Sequence, residues 1–239
     1  MKQLCLAEAI GTYALVFSGT GAIVINTISG GAITHVGIAL TFGLIVMAMI
    51  YAFGDISGCH INPAVTIAMT VAGRFPLSKL VPYIASQAVG AVLASLTLRL
   101  LFRSHPEVIE AGLGGTFPFA EGSDLQSFVL EFILTFLLMY VVLCVSTGAK
   151  EKGIMAGAAI GAVVALEAMF AGPICGASMN PIRSFGPAVV SGRLDSLWVY
   201  LTAPTLGAIV AVFVFNFMGA APTPENLEEV GSKPAKKRS

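Results

Sequence analysis

Charged residues are scarce in this chain. Only 11% of its 239 residues are Asp, Glu, Lys or Arg, whereas an ordinary soluble domain carries about 25%. Hydrophobic residues make up 56% of the chain, and the mean hydropathy is +0.87. This composition excludes a soluble globular protein and indicates one embedded in a lipid bilayer. Basic residues do not outnumber acidic ones, 13 against 13, so we expect no nucleic-acid partner.

The chain also lacks the patterns that carry catalysis or metal binding. Its apolar segments contain no Ser-His dyad, no paired Asp and no His-Glu-x-x-His. The four cysteines show neither metal-ligand spacing nor a disulfide framework; they are Cys5, Cys59, Cys144 and Cys175. We therefore predict that the protein is not an enzyme and that it has no cofactor and no metal site.

Six long apolar segments dominate what is present. They cover residues 4–26, 36–54, 80–102, 125–147, 154–172 and 197–219. Each is close to the roughly 20 residues that span a bilayer as a helix. No charged n-region with a cleavage site precedes the first segment, so it is interpreted as a retained helix rather than a signal peptide. Nine Lys and Arg lie on one side of this arrangement and three on the other, which predicts that both termini are cytoplasmic.

Two short runs, Asn62-Pro63-Ala64 and Asn180-Pro181-Ile182, are the most informative motifs. Each follows a segment of small residues, and Asn is a favoured helix N-cap while Pro is favoured at the first helical position. Gly73 and Gly192 would end these helices about ten residues later. Each helix would then be about 15 Å long, half of the hydrocarbon thickness. The motifs therefore predict two re-entrant half-helices that meet at the bilayer midplane.

An internal duplication links these motifs to the long segments. Residues 83–91 resemble residues 200–208, and Gly90 and Gly207 follow their Asn by 28 and 27 residues. Each repeat holds three spans, and because three is odd the second copy enters the membrane inverted. We predict one transmembrane domain over 1–220, with repeats at about 1–102 and 125–220. The tail 221–239, rich in Pro, Glu and Lys, is predicted to be disordered and cytoplasmic.

Glu8 and Glu131 are acids at matching positions in the first span of each repeat. An intramembrane carboxylate is a functional candidate by default, and a proton relay is one interpretation. The favoured interpretation is structural: the carboxylates accept hydrogen bonds from backbone N–H groups of the re-entrant segments, which lipid cannot satisfy.

With these features, the chain resembles the aquaporin and glyceroporin (major intrinsic protein) family over about residues 4–219. The resemblance rests on the Asn-Pro segments, the run Glu8 to Tyr13 and the run Arg183 to Pro187. The run from Phe170 to Pro181 is especially similar to the nodulin-like intrinsic proteins of plants and their bacterial relatives. The resemblance implies an all-α integral membrane fold of six transmembrane helices and two half-helices. It also implies a homotetramer in the plasma membrane, in which every subunit has its own pore.

The predicted midplane constriction comprises Asn62, Pro63, Ala64, Asn180, Pro181 and Ile182. Two converging half-helix N-termini each carry roughly half a positive charge, which repels cations. The Asn N–H groups orient passing water and interrupt proton hopping, so transport would be passive and would exclude ions and protons. Ile182 stands where the family usually has Ala, and this bulkier, β-branched residue is expected either to narrow the midplane or to alter the contact between the half-helix tips. Cys59 and Cys175 flank the segments, which predicts sensitivity to thiol reagents.

The resemblance also assigns a selectivity filter to Phe42, Ala168, Ala177 and Arg183. Water-selective members usually have His where this chain has Ala168, so the filter is expected to be wide. The expected solutes are water, glycerol and similar polyols, with urea and undissociated metalloid acids as further candidates. His60, two residues before the first Asn, is interpreted as a structural residue or as a protonation-dependent gate.

Other functions remain open from the sequence. The nearest alternative is a water-selective aquaporin, which differs only in the size of the filter. A coupled secondary transporter also uses inverted repeats and broken helices, but it needs an ion or proton site at the midplane. A purely adhesive membrane protein would have no need of a polar path lined by asparagine and arginine.

Overall fold

The computed structural model of this protein describes residues 1–119, 122–147 and 154–219. Its long helices are α1 (Lys2–Ile28), α2 (Thr34–Ser57), α4 (Leu80–Leu101), α6 (Asp124–Val145), α7 (Ala156–Cys175) and α9 (Leu197–Phe217). All six are long and apolar enough to cross a membrane. The six predicted spans are confirmed, with ends that move by a few residues. The predicted disordered tail lies outside the described residues.

The two half-helices are α3 (Pro63–Val71) and α8 (Pro181–Ser191), of 9 and 11 residues. Asn62 and Asn180 are their N-caps, with extended backbones at φ −156° and −151°. Pro at the first helical position fits because its missing N–H has no partner inside a helix. A left-handed Gly192 ends α8, and Gly73, also at positive φ, follows the end of α3.

A short helix, α5 (Pro106–Glu110), lies in the connection between α4 and α6. The apolar segments of the sequence leave this stretch as an unassigned connection, because five residues are too few to show a helical period. Val108 and Leu113 are buried and pack against Val24 and Val190. The connection is therefore part of the packed structure on the face opposite the chain termini, called here the opposite face; the other is called the terminal face.

Glycines at equivalent places let the helices of the two repeats approach closely. A Cβ on Gly90 would lie 2.2 Å from the carbonyl oxygen of Ala9, and one on Gly207 would lie 2.1 Å from that of Phe132. At the centre, Gly43 and Gly161 face each other, because a Cβ on either would contact the carbonyl oxygen of the other within 2.5 Å. The contact of α1 with α4 and the contact of α6 with α9 are equivalent in the two repeats, and α2 packs against α7 between the repeats.

Candidate functional site

The re-entrant segments 58–62 and 176–180 have the same unusual backbone. Gly58 and Gly176 end α2 and α7 in the left-handed conformation, both at φ 83°. The first and third residues after each glycine also have positive φ, from 41° to 53°; they are Cys59, Ile61, Ala177 and Met179. The left-handed conformation costs each of these non-glycine residues about 1–3 kcal/mol, and surrounding contacts are needed to hold it. The segments are therefore held by contacts rather than by their own preference.

Glu8 supplies those contacts for the first segment. Its Oε1 accepts hydrogen bonds from the His60 backbone N–H at 2.9 Å and from the Ser57 hydroxyl at 2.7 Å. Its Oε2 accepts from the Ile61 N–H at 2.7 Å and from the Gln87 side-chain amide at 2.8 Å. The carboxylate is fully buried and has four donors. These bonds compensate the cost of burying it.

Glu131 does the same for the second segment with fewer partners. Its Oε1 accepts from the Ser178 N–H at 2.7 Å and its Oε2 from the Met179 N–H at 2.8 Å. These two donors correspond in position to His60 and Ile61 of the first repeat. Both carboxylates thus accept hydrogen bonds from backbone N–H groups of a re-entrant segment. This is the arrangement expected if the two acids have a structural role.

The two asparagines join the repeats where the half-helices meet. Each side-chain oxygen caps its own helix, accepting from Ala64 N–H at 2.9 Å and from Ile182 N–H at 3.1 Å. Asn62 Nδ2 donates to the Met179 carbonyl, and Asn180 Nδ2 donates to the Ile61 carbonyl, both at 2.8 Å. An amide nitrogen carries two N–H bonds, so each asparagine retains one for another acceptor.

A cavity of about 880 Å³ runs past these asparagines and is lined by both repeats. Of the described residues at the motifs, Asn62 and Asn180 line it, whereas Pro63, Ala64, Pro181 and Ile182 do not. Most of the remaining wall is apolar, with residues such as Leu15, Leu138 and Val164. The cavity therefore places two amide donors in an otherwise largely hydrophobic passage.

The structure corrects the expectation that Ile182 narrows the midplane. Its side chain is buried in an apolar cluster with Val16, Ala91 and Ala94, which belong to α1 and α4. The equivalent Ala64 is buried against residues of α6 and α9. Because successive residues of a helix differ by about 100° in direction, Ile182 faces the bundle while Arg183 faces the cavity. The larger side chain therefore occupies space between the helices and does not enter the passage.

The four residues of the expected filter line one region of this cavity. They are Phe42, Ala168, Ala177 and Arg183. Arg183 is only 2% exposed, and its Cζ lies 4.8 Å from the centroid of the Phe42 ring. Gly19 makes room for that ring, since a Cβ there would lie 2.1 Å from Cε1 of Phe42. A guanidinium, an aromatic ring and two methyl groups are thus brought together.

Sequence reasoning missed the residues that hold Arg183. Its Nη1 donates to the carbonyl oxygen of Gly114 at 2.8 Å. Gly112, Leu113 and Gly114 all have positive φ, between 53° and 90°. A backbone acceptor has no side-chain signature, so only the run of glycines indicated an unusual turn at this place.

His60 also lines the cavity, on the terminal side of the asparagines. Its Nδ1 lies 3.2 Å from the Thr66 hydroxyl, and its ring lies against Phe75 and Tyr83 at centroid distances of 4.8 and 5.5 Å. The ring is fixed between neighbours while one side stays accessible. Gating by protonation remains a prediction.

Comparison with known proteins agrees with this geometry. Aquaporin NIP1-1 of Zea mays is 48% identical over 216 residues, covering 90% of this chain and 74% of the relative. Probable aquaporin NIP4-2 of Arabidopsis thaliana is 47% identical over 218 residues, 91% of this chain and 75% of the relative. The X-ray structure of the aquaglyceroporin from Plasmodium falciparum superposes with a TM-score of 0.80 at 25% identity, covering 90% of this chain and 95% of that one.

The fold and the cavity define an integral, multi-pass membrane channel built as an inverted repeat. The sequence model of the family described as Major intrinsic protein matches residues 1–215, and the chain belongs to that family. The relatives that it matches at 47–48% identity are nodulin-like intrinsic proteins, as the resemblance predicted. The protein is a channel for water and small neutral solutes.

Proposed function

We propose that this channel conducts glycerol and similar polyols as well as water, with urea and undissociated metalloid acids as further candidates. The observation that carries the proposal is the pair of alanines, Ala168 and Ala177, beside Arg183 on the cavity wall. Small side chains leave room for a carbon backbone, and Phe42 offers it an apolar surface. The guanidinium supplies donors for hydroxyl oxygens on the other side.

The same proposal assigns ion exclusion to two places. At the midplane, Asn62 and Asn180 present N–H donors where two half-helix N-termini meet, and a cation there faces positive dipole ends. At the filter, the charge of Arg183 repels cations a second time. The apolar wall between these places offers no replacement for a hydration shell. Transport is consequently passive, and we propose that no chemistry accompanies it.

Glu8 and Glu131 are proposed to be structural supports rather than proton carriers. Both oxygens of each carboxylate are already hydrogen-bonded to the backbone of a re-entrant segment. A relay would have to break these bonds at every proton transfer. This argues against the coupled transporter that the sequence alone left open.

We further propose that residues 1–220 form one channel domain and that four such chains assemble as a homotetramer. The sequence assigns nine Lys and Arg to the side of the chain termini and three to the other side, and this bias supports a plasma-membrane protein with both termini in the cytoplasm. In this orientation the filter lies toward the outside and His60 toward the cytoplasm.

The test is stopped-flow light scattering on proteoliposomes, with a sucrose gradient for water and glycerol, urea and boric acid gradients for solutes. We expect rapid shrinkage in every case, followed by fast re-swelling with glycerol. Ala168→His should reduce glycerol permeability about tenfold while water permeability changes less than about twofold, because a bulky polar side chain narrows the filter. Ala72→Ser, outside the cavity wall, serves as the control. Water flux without glycerol influx in the unmodified protein would identify a water-selective aquaporin instead.

A further inference from the structure

We propose that Thr116, Ser178 and Ser184 form a positioning network that holds Arg183 in the filter and thereby sets both solute selection and cation exclusion. This inference rests on the proposed function, because it assumes that Arg183 contributes to the filter. The three hydroxyls lie behind the guanidinium, between the connection that follows α5 and the start of α8. Of the three, only Ser178 lines the cavity.

The hydroxyls form a chain with one possible direction. Ser178 Oγ donates to the Asn180 carbonyl at 2.8 Å, and a hydroxyl has only one hydrogen. The 2.6 Å contact between Ser178 and Ser184 therefore has Ser184 as the donor. Thr116 in turn donates to Ser184 at 2.7 Å. Every hydrogen is used, and the chain runs from the connection to the backbone of the residue that caps α8.

This chain runs beside the hydrogen bond that holds Arg183. Thr116 is two residues after Gly114, whose carbonyl accepts from the guanidinium, and Ser184 is the residue after Arg183. The connection and α8 are thus joined at two adjacent places. Among the described residues, Gly114 is the one acceptor that hydrogen-bonds the Arg183 side chain. If the connection moves, the guanidinium loses its hydrogen-bonded position.

Packing restricts the same connection from several sides. A Cβ on Gly114 would lie 2.7 Å from the Thr20 carbonyl oxygen, so this turn rests directly on α1. A Cβ on Gly176 would lie 2.9 Å from the Thr116 side chain, so Thr116 rests on the second re-entrant segment. Further along, Phe119 N–H donates to the Ile174 carbonyl at 2.8 Å.

Burial makes the hydroxyl chain hard to replace with water. Thr116, Ser178 and Ser184 are 5%, 6% and 2% exposed. A buried hydroxyl that loses its partner has no solvent to turn to, and the groups around it must shift. Removing the Thr116 hydroxyl should therefore displace Gly114 and change the filter, although Thr116 itself does not line the cavity.

The experiment compares Thr116→Val, Thr116→Ser and Ser184→Ala in proteoliposomes. Thr116→Val keeps the shape and removes the donor, and we expect it to change the glycerol-to-water permeability ratio at least about threefold and to raise methylammonium leak about tenfold. Ser184→Ala should act in the same direction and serves if Thr116→Val does not fold. Thr116→Ser retains the hydroxyl and should restore both values to within about twofold. Thr205→Val is the matched control, since the Thr205 hydroxyl donates within its own helix to the Leu201 carbonyl and Thr205 does not line the cavity.

Double variants with Arg183→Val decide whether the network acts through the arginine. If it does, Thr116→Val should have no further effect on permeability ratio or leak in the Arg183→Val background. Full additivity there would overturn the proposal, as would a lowered melting temperature with an unchanged ratio and leak. A channel that conducts water but no glycerol would refute the proposed function alone, because methylammonium leak still reports the position of Arg183.

Discussion

Counted from the two Asn-Pro motifs, the repeats place four residues each at matching distances along the cavity. These residues stand twenty, twelve and three positions before an Asn and three positions after it. They form two rings around the cavity, and each ring takes residues from both repeats. The ring toward the opposite face is Phe42, Ala168, Ala177 and Arg183, and the ring toward the terminal face is Ile160, Ile50, Cys59 and Val65. All eight line the cavity. The duplicated backbone thus carries one charged ring toward the opposite face and one apolar ring toward the terminal face.

The supports behind the rings diverge in the same way. Thr66 and Ser184 occupy equivalent positions, as do His60 and Ser178. In the first repeat Thr66 donates to the Asn62 carbonyl and contacts a histidine ring, and Gln87 adds a further donor. In the second repeat the equivalent contacts are made by hydroxyls alone. The terminal side therefore has a histidine, His60, at the position where the opposite side has Ser178.

The largest effect should come from removing the two acids. Glu8→Ala removes the acceptor of four donors, of which the His60 N–H is only partly buried, and Glu131→Ala removes the acceptor of two buried donors, at about 1–3 kcal/mol for each donor. We expect both variants to be destabilised, Glu8→Ala by roughly twice as much, in thermal unfolding of the purified protein. The exposed Glu110→Ala is the control. Equal losses would show that the side-chain donors to Glu8, from Ser57 and Gln87, contribute little.

Arg183→Val gives the charged ring the residue that the apolar ring has at Val65. Removing a fixed charge at a few ångströms from the passage lowers the barrier to cations by about 3 kcal/mol at an effective dielectric constant near 20. We expect methylammonium permeability to rise about a hundredfold, measured as isotope uptake into proteoliposomes, while water permeability changes little. An unchanged cation flux would assign exclusion to the midplane alone.

Ile50→Ala gives the apolar ring the residue that the charged ring has at Ala168. The smaller side chain widens the passage, and glycerol permeability should rise about twofold to threefold with cation exclusion intact, because Arg183 is untouched. Stopped-flow and isotope uptake measure the two quantities on the same vesicles. Increased cation leak would mean that the apolar ring also excludes ions.

The smallest effect concerns the two cysteines beside the re-entrant segments. Cys59 lines the cavity, whereas Cys175 is fully buried and its thiol contacts the Ala171 carbonyl at 3.6 Å. A mercurial should therefore lower water permeability of the unmodified protein and of Cys175→Ser, but not of Cys59→Ser. Protection by Cys175→Ser would place the reactive thiol on the other repeat.

Some of this architecture could be predicted from the sequence because it depends on length and on local rules. Hydrophobic length gave the spans, and the Asn-Pro pairs gave the starts of α3 and α8. The prediction that Ile182 narrows the passage was wrong, because a sequence motif does not show which side of its helix faces the cavity. The hold on Arg183 was missed because Gly114 acts through a carbonyl oxygen, which every residue has.

The crossed bonds between Asn62 and Met179 and between Asn180 and Ile61 carry a consequence for ancestry. The asparagine side chain of each half donates to a backbone carbonyl of the other half. A single half would therefore leave both its asparagine N–H and this carbonyl without a hydrogen-bond partner. Two copies of one half, inserted in opposite orientations, would satisfy both. The present chain has the geometry of two antiparallel copies of one half joined end to end, and severing the chain between α4 and α6 should still allow co-expressed halves to associate.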